Sequence, residues 1–339
     1  MSSSAQFLNP SEAARQLGVS AKALRLYEQR GLVTPLRNAT GWRAYGPDQM
    51  TRSADIVALR ALGLSLAQVA RVLEGDAKDL EPALASHQAA LEGQIHQIVG
   101  AVAKVRDLRA DIARGRPPAA KDLARIMQTP GEPTVAFDLP WPWGGERFEL
   151  HDIRPLNFII GPLGSGKTRL ARRLAETLPN AAFIPLERMA DAAHARLDAD
   201  PALKSRVDDS LAWIIEDGGA ESEALLALLV ELQSEGPTIL VIDMVEQGLD
   251  QASQEALIAY LRRSGPAGRP LFLLTRSCAI LDLAAVGADE AIILCPANHS
   301  VPTRIAPYPG SPGYEAVATC LASPEVRART EGMIAWTPS

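Results

Sequence analysis

The chain has 339 residues, enough for two or three domains, and its 47% hydrophobic and 22% charged residues are ordinary for packed cores, which excludes a disordered tract. The formal net charge of −6 is unevenly spread: residues 1–75 carry about +4 and the rest about −10, which is typical of an anion-binding head on an acidic body. No signal peptide and no apolar run of ~20 residues is visible, and Cys278, Cys295 and Cys320 are too far apart for a disulfide frame or a metal site, so we expect a cytoplasmic protein without a membrane span.

The N-terminal segment predicts two short helices joined by a tight turn. Pro10 begins the first and Gly18 stops it, and Ser20 is suited to cap a second helix that runs from Ala21 to Arg30. This spacing matches helix-turn-helix geometry. A two-stranded wing around a turn at 38–41 follows, and then come two further helical regions, one from about 47 through 59 and one after Ser65.

The cationic and aromatic side chains of this segment are candidates for DNA contacts. We predict that the second helix and the wing contribute Lys22, Arg25, Tyr27, Arg37, Arg43 and Tyr45.

Residues 7–75 resemble the winged helix-turn-helix head of MerR-type transcriptional regulators. The most specific matches are the run Leu-Arg-Leu-Tyr-Glu at 24–28, Gly31-Leu32, and Arg43 and Tyr45 in the wing. The resemblance implies that the protein binds palindromic promoter DNA as a homodimer and distorts it. Many relatives have polar or arginine side chains where this chain has Lys22-Ala23, so the base preference stays open.

A seven-residue repeat follows the head. Its apolar members are Leu84, Leu91, Ile98, Val105 and Ile112. Such a seam over about 30 residues predicts a long dimerisation helix, although a helix packed on the protein's own body would show the same stripe. His87 and His96 are better interpreted as seam or surface residues than as metal ligands. Metal-sensing MerR-type relatives use cysteines near this helix and none is present here, so metal sensing is not expected.

These signals divide the chain into four parts. The predicted boundaries are 1–76 for the DNA-binding head, 77–115 for the dimerisation helix, 116–134 for a linker and 135–339 for a nucleotide-binding domain. Pro- and Trp-rich residues 130–145 extend the linker into a strand and turn at the edge of the last domain.

The octapeptide GPLGSGKT at 161–168 fits the phosphate-binding loop pattern. It lies between an apolar strand at 156–160 and a helix at 169–175, where backbone N–H groups converge on phosphate oxygens. We predict that Lys167 contacts the β/γ-phosphates and that Thr168 binds Mg²⁺. The predicted nucleotide-binding residues here are Gly161, Pro162, Leu163, Gly164, Ser165, Gly166, Lys167, Thr168 and Arg169. Trp141, Trp143 or Phe148 could stack on the base.

A second apolar strand, at 238–242, ends in Asp243, which is placed to hold Mg²⁺ through water. Further parallel core strands are predicted at 270–275 and 290–294. The fold class is therefore multidomain: an α-rich winged helix-turn-helix head and a long helix, then an α/β P-loop domain with a mainly parallel sheet.

The segment at 247–257 resembles the ABC-type ATPase class, in which GLD-x-x-S-x-x-x-L follows the acidic strand. The resemblance implies ATP as the nucleotide and Asp250 as an aspartate at a dimer contact. About 25 residues earlier, Glu216-Asp-Gly-Gly stands where that class has its signature, with Asp217 in place of the usual serine. Gly218 and Gly219 would then offer N–H groups to the γ-phosphate held by a partner subunit. A plain loop before a helix at 223–232 is the alternative.

Two positions depart from that class. Met244 stands where the class has a glutamate that polarises water, and Arg276 stands where it has a histidine. A thioether cannot accept a proton, so the usual general base is missing, and only Glu246 or Glu221 could substitute. We therefore expect ATP–Mg²⁺ binding with slow hydrolysis or none.

Three functions fit these features. The first is a transcriptional regulator whose ATP-dependent dimer closure modulates DNA binding. The second is an ATP-driven DNA-maintenance or defence ATPase that the head recruits to DNA. The third is a small-molecule P-loop kinase, for which the cluster Arg262, Arg263 and Arg269 would have to serve as a lid, although it lies at the end of a helix.

Overall fold

The computed structural model describes residues 7–37, 41–85, 135–188, 190–263 and 268–328, and nine positions between 87 and 114. The predicted linker at 116–134, the seam residue Ile98 and His96 lie outside the described residues, as do the turn positions 38–40.

The head consists of four helices and a small wing. Asn9 and Ser20 cap the first two helices with their side chains, because each oxygen accepts a backbone N–H of the first turn. The elements are α1 (Pro10–Leu17), α2 (Ala21–Gln29), β1 (Leu36–Arg37), β2 (Arg43–Ala44), α3 (Pro47–Ala61) and α4 (Leu66–Leu73). Strands β1 and β2 pair antiparallel as the predicted wing.

The head has its own apolar core. Its fully buried members come from every helix and from the wing; they include Ala13, Leu24, Tyr45, Ile56 and Val69. A core of this size holds a small domain together by burial of apolar surface.

Beyond the head, the described residues at 81–85, 87, 88, 91, 102, 105, 106, 109 and 112 are helical. Four seam residues lie among them and are exposed, namely Leu84, Leu91, Val105 and Ile112. Within the described part of the chain, the apolar stripe therefore faces away from the protein's own core.

The body begins with an antiparallel hairpin of β3 (Val135–Asp138) and β4 (Arg147–Leu150). Its main sheet has six strands in the order β10-β9-β5-β8-β7-β6, and only β10 runs antiparallel to its neighbour. The strands are β5 (Leu156–Ile160), β6 (Ala181–Ile184), β7 (Ile239–Ile242), β8 (Leu271–Leu274), β9 (Glu290–Leu294) and β10 (Thr303–Ile305).

Helices cover both faces of this sheet. They are α5 (Lys167–Thr177), α6 (Ala190–Ala199), α7 (Pro201–Glu216), α8 (Glu223–Gln233), α9 (Gln251–Arg263), α10 (Tyr314–Cys320) and α11 (Pro324–Ala328). Alternate residues of β5 enter different cores: Phe158 packs with α7, α8 and α9, and Ile159 packs with α5 and the β3–β4 hairpin. Strands covered on both faces are apolar throughout, as the sequence of β7 is.

The predicted fold class is confirmed: a helical head precedes an α/β domain with a mostly parallel sheet. Among the described residues, no helix is both long enough and apolar enough to cross a bilayer.

Candidate functional site

The phosphate-binding loop connects the carboxyl end of β5 to the first turn of α5. Gly166 caps α5 with a φ of 89°, and a Cβ there would lie 2.6 Å from the ring of Trp143. Only glycine fits this position, because it tolerates positive φ and has no side chain to collide with the tryptophan. The neighbouring loop residues Leu163 and Gly164 are exposed, as a surface that receives a ligand must be.

Lys167 folds back over this loop. Its Nζ donates to the carbonyl oxygens of Gly161 and Pro162, at 2.7 Å each. Burial lowers the pKa of Lys167 below its ordinary value, while the nearby Cys295 and Asp243 act in the opposite direction. A phosphate bound in the loop would place negative charge beside this ammonium and favour its charged form.

The loop and the acidic strand meet at one point. Strand β7 is separated from β5 by β8, and Asp243, directly after β7, accepts a hydrogen bond from the Thr168 hydroxyl at 3.0 Å. A hydroxyl and a carboxylate are hard oxygen ligands of the kind that Mg²⁺ prefers. The Oγ atom of Ser165 is buried in the same loop without a hydrogen-bond partner in the described part of the chain. These donors and this orphaned hydroxyl fit a nucleoside triphosphate with Mg²⁺.

The position after Asp243 has no carboxylate. Met244 adopts a φ of 45°, an unusual conformation for a methionine, and its carbonyl accepts a hydrogen bond from Arg188 at 3.1 Å. Glu246, one candidate for a general base, is 2% exposed and accepts the backbone N–H of Arg276 at 2.9 Å. Glu221, the other candidate, is exposed on the loop before α8.

Arg188 is a site residue that the sequence did not reveal. Its guanidinium donates to the carbonyls of Asp243 and Met244, at 3.1 Å each. Burial lowers the pKa of Arg188, and the carboxylates of Glu246 and Asp243 counteract that effect. Arg188 therefore holds the backbone of the acidic loop, and its position after the edge strand β6 carried no motif that could have indicated this.

The three aromatic candidates for base stacking separate clearly in the structure. Phe148 and Trp143 are buried, and the Trp143 indole N–H donates to the carbonyl of Ser300 at 3.1 Å. Trp141 is 70% exposed and lies against the guanidinium of Arg169, with 4.6 Å between the Arg169 Cζ and the ring centroid. Of the three, only Trp141 offers a free ring face beside the loop.

The segment that resembles an ABC signature has a different local role here. Gly218 and Gly219 follow the end of α7, and their N–H groups donate to the carbonyls of Ile215 and Ile214, at 2.9 Å each. They thus close the carboxyl end of a helix and do not present free donors. In this single chain the two N–H groups are thus already bonded, and the expectation that they face a partner's γ-phosphate stays a prediction. Asp250 accepts the N–H of Ser253 at 2.7 Å, at the start of α9.

Three of the predicted DNA-contacting residues are exposed without a side-chain pairing to the body. Arg25 is exposed on α2, and Arg37 is exposed on the wing, where it donates to the carbonyl of Gly41 at 2.9 Å. Arg43, also on the wing, pairs with Glu28 at 3.0 Å.

The other three predicted DNA-contacting residues are not free. Tyr27 and Tyr45 are buried in the head core, and the Tyr45 hydroxyl donates to Glu28. In this arrangement the two tyrosines support the reading surface and do not extend from it. Lys22 contacts the body, with 2.9 Å between its Nζ and the Oε1 of Glu255.

Comparison with known proteins finds relatives for the head and, separately, for the body. The family model described as MerR HTH family regulatory protein matches residues 8–76. A probable heavy metal-dependent transcriptional regulator of Haemophilus influenzae is 35% identical over 106 residues, which are 29% of this chain and 83% of that protein.

The body has relatives of another kind. An ABC transporter ATP-binding/permease protein of Mycobacterium tuberculosis is 26% identical over 239 residues, covering 54% of this chain and 27% of that protein.

Among solved structures, a MerR family regulator that lacks the sensor domain and is bound to promoter DNA matches 31% of this chain and 90% of its own, at 20% identity and a TM-score of 0.26. The chain therefore belongs to the MerR HTH family of regulatory proteins, and in it a MerR-type head is fused to a domain like an ABC ATP-binding cassette.

Proposed function

We propose that this protein is a cytoplasmic transcriptional regulator whose body binds ATP with Mg²⁺ and whose affinity for promoter DNA depends on the bound nucleotide. The observation that carries the proposal is the contact between Thr168 and Asp243, 3.0 Å apart, beside the inward-turned Lys167. It brings the two halves of a nucleotide site together on a chain that also has a DNA-binding head.

The nucleotide would be held mainly by the loop. Lys167 would neutralise the β/γ-phosphates, and Thr168 and Asp243 would hold the magnesium ion, whose charge offsets that of the phosphates. Trp141 is the base platform that we favour, because its ring is exposed next to Arg169. Of the aromatic residues that the sequence left open, it alone can receive a purine without unpacking the body.

Nucleotide binding is expected to matter more than turnover. Met244 cannot take a proton from water, and Glu246 is buried and already accepts a backbone N–H. Slow or absent hydrolysis suits a regulator whose DNA affinity depends on whether nucleotide is bound.

The regulator would act as a homodimer. The exposed seam of Leu84, Leu91, Val105 and Ile112 provides an apolar face for a second copy. Arg25 and Arg37 are exposed and available for phosphate or base contacts, and a dimer would place two such heads on a palindromic site.

We further propose that the nucleotide acts by drawing the two bodies together. Gly218 and Gly219 could serve this closure only after their N–H groups leave the carboxyl end of α7. Closure on the nucleotide would therefore change the loop at 216–219.

The test is the affinity for a palindromic duplex obtained by selection from random DNA, measured with and without Mg-ATP. Wild-type protein is expected to change its affinity by about fivefold or more, which is the lower end of typical coupling between two sites. Lys167→Ala should abolish the change. Lys204→Ala is the matched control, because Lys204 is an exposed lysine of α7 that pairs only with Asp208 among the contacts described.

Equal affinity with and without Mg-ATP would contradict the proposal. If selection yields no shared sequence and DNA stimulates an ATPase activity that Lys167→Ala lacks, the DNA-maintenance ATPase is the better description.

A further inference from the structure

The head and the body contact each other along a polar interface that no sequence motif predicts. On the head side it involves α2 and the turn between α3 and α4; on the body side it involves the loop at 216–219 and helix α9. We refer to residues 216–219 as the docking loop. The same four residues resemble a signature that faces nucleotide in ABC-type ATPases, yet here they face the DNA-binding head.

Asp217 lies at the centre of this interface. Arg60 of the head donates to both of its carboxylate oxygens, with 3.1 Å between Nη2 and Oδ2, and the backbone N–H of Leu66 donates to Oδ1 at 2.8 Å. The Asp217 side chain is 2% exposed and that of Arg60 is 18% exposed. A carboxylate this deeply buried is tolerated only when it is paired and hydrogen-bonded, as it is here. The Arg60 guanidinium and the Leu66 N–H therefore supply the partners that the buried Asp217 carboxylate needs.

Neighbouring contacts extend the interface on the head side of Asp217. The Ser65 hydroxyl donates to Glu216 at 3.0 Å, and Arg71 lies 3.8 Å from the same carboxylate. Arg60 also lies over the ring of Trp213, with 5.8 Å from its Cζ to the ring centroid. The head thus docks through charged pairs and an aromatic contact together.

The interface also includes the helix that would read DNA. Lys22 pairs with Glu255 at 2.9 Å and donates to the carbonyl of Cys278 at 3.5 Å. Arg30, directly after α2, donates to the carbonyl of Gly218 at 3.2 Å, and any side chain at Gly218 would overlap its guanidinium. Arg25, one turn after Lys22, stays exposed. The basic residues at the two ends of α2 are therefore occupied by the body and are not free to contact DNA, although Arg25 between them is.

We propose that the docking loop, with Glu255, is an internal binding site for the DNA-binding head, and that its carboxylates compete with DNA phosphates for the same basic residues. The docked chain is then the form with weak DNA affinity, and release of the head is required before DNA is bound. Carboxylate and phosphate are interchangeable partners for an arginine fork, which makes this competition chemically direct.

The docking loop is also connected to the nucleotide site. The Ser253 hydroxyl accepts the N–H of Ala220 at 2.9 Å, and the N–H of Ser253 donates to Asp250 at 2.7 Å. Helix α9, which carries Ser253 and Glu255, follows the loop that begins at Asp243. Resting on the function proposed above, this connection is the route by which nucleotide binding would loosen both contacts to the head.

The experiment measures the DNA affinity of nucleotide-free, full-length protein on the selected duplex. Asp217→Asn and Glu255→Gln are expected to tighten binding, by about tenfold if nine molecules in ten of the wild type are docked, because apparent affinity scales with the competent fraction. Glu235→Gln is the matched control: it removes the same charge from the body at a side chain that is 87% exposed and pairs with Arg206. It should bind DNA as the wild type does.

Wild-type affinity in both Asp217→Asn and Glu255→Gln would overturn the proposal, as would equal tightening by Glu235→Gln. If the buried Asp217→Asn variant does not fold, Glu255→Gln decides alone, because its side chain lies nearer the surface. Since no nucleotide is present, tighter binding by these variants supports docking even when Mg-ATP leaves the wild type unchanged. In that case the function proposed above fails and the docking stands.

Discussion

At the scale of single residues, two tryptophans near the phosphate-binding loop have opposite roles. Trp143 is 4% exposed, lies against Gly166 and donates its indole N–H to Ser300, so it fixes the shape of the loop. Trp141, two residues earlier, is 70% exposed and touches only Arg169 among its described ring contacts. One ring belongs to the fold and the other is available to a ligand.

This difference predicts opposite outcomes for the same substitution. Trp141→Ala should leave the melting temperature unchanged and weaken ATP binding by about 1 kcal/mol, roughly fivefold, which is the size of one aromatic stacking contact. Trp143→Ala should lower the free energy of unfolding by about 3–5 kcal/mol, as loss of a buried aromatic side chain does. Thermal unfolding and calorimetric titration with Mg-ATP separate the two. A Trp141→Ala protein that binds ATP as the wild type does would remove Trp141 from the site.

At the scale of elements, the sequence predicts those helices and strands that depend on contacts between residues close together in the chain. The helix cap at Ser20, the helix that begins after Ser65, the strand before the phosphate-binding loop and the core strands predicted at 238–242, 270–275 and 290–294 are all present. Local hydrogen bonds and apolar alternation determine these elements, so a single sequence carries the information. The strand order, with β8 between β5 and β7, and the antiparallel β10 depend on distant pairings that no local pattern encodes.

The described helical residues beyond the head carry a prediction of their own. Leu91→Glu combined with Ile112→Glu places two charges on the exposed seam and should convert the proposed homodimer into monomers, because like charges would face each other across the two copies. Arg106→Glu is the control, since Arg106 is an exposed helical position outside the seam. Sedimentation velocity gives the mass of each variant. A double variant that remains dimeric would assign the seam to another partner.

At the scale of the whole molecule, no pattern in the sequence predicts the interface between head and body. Arg60 and Asp217 are 157 positions apart, and each taken alone resembles an ordinary surface charge. The likeness of the Glu-Asp-Gly-Gly run to a nucleotide-facing signature predicts a role toward nucleotide, whereas in this structure its glycines close helix α7 and its carboxylates contact the head.

Coupling between the two halves must be reciprocal. If Mg-ATP changes the affinity for the selected duplex by a given factor, that duplex must change the affinity for Mg-ATP by the same factor, because both follow from one coupling free energy. Titration of Mg-ATP into protein with and without the duplex measures the second factor. Unequal factors at equilibrium would show that a further bound species, such as a different oligomer, takes part.

The Arg60–Asp217 contact also bears on how such a fusion could be rebuilt. Arg60 lies in the head and Asp217 in the body, so the contact forms only when both residues are present in the fusion. On the docking proposed above, a head transplanted from another MerR-type protein without a basic residue matching Arg60 would dock poorly, because docking would bury the Asp217 carboxylate without its partner. The chimera would then bind its promoter more tightly than this chain does. A biosensor made from this chain would have to carry both charges over together.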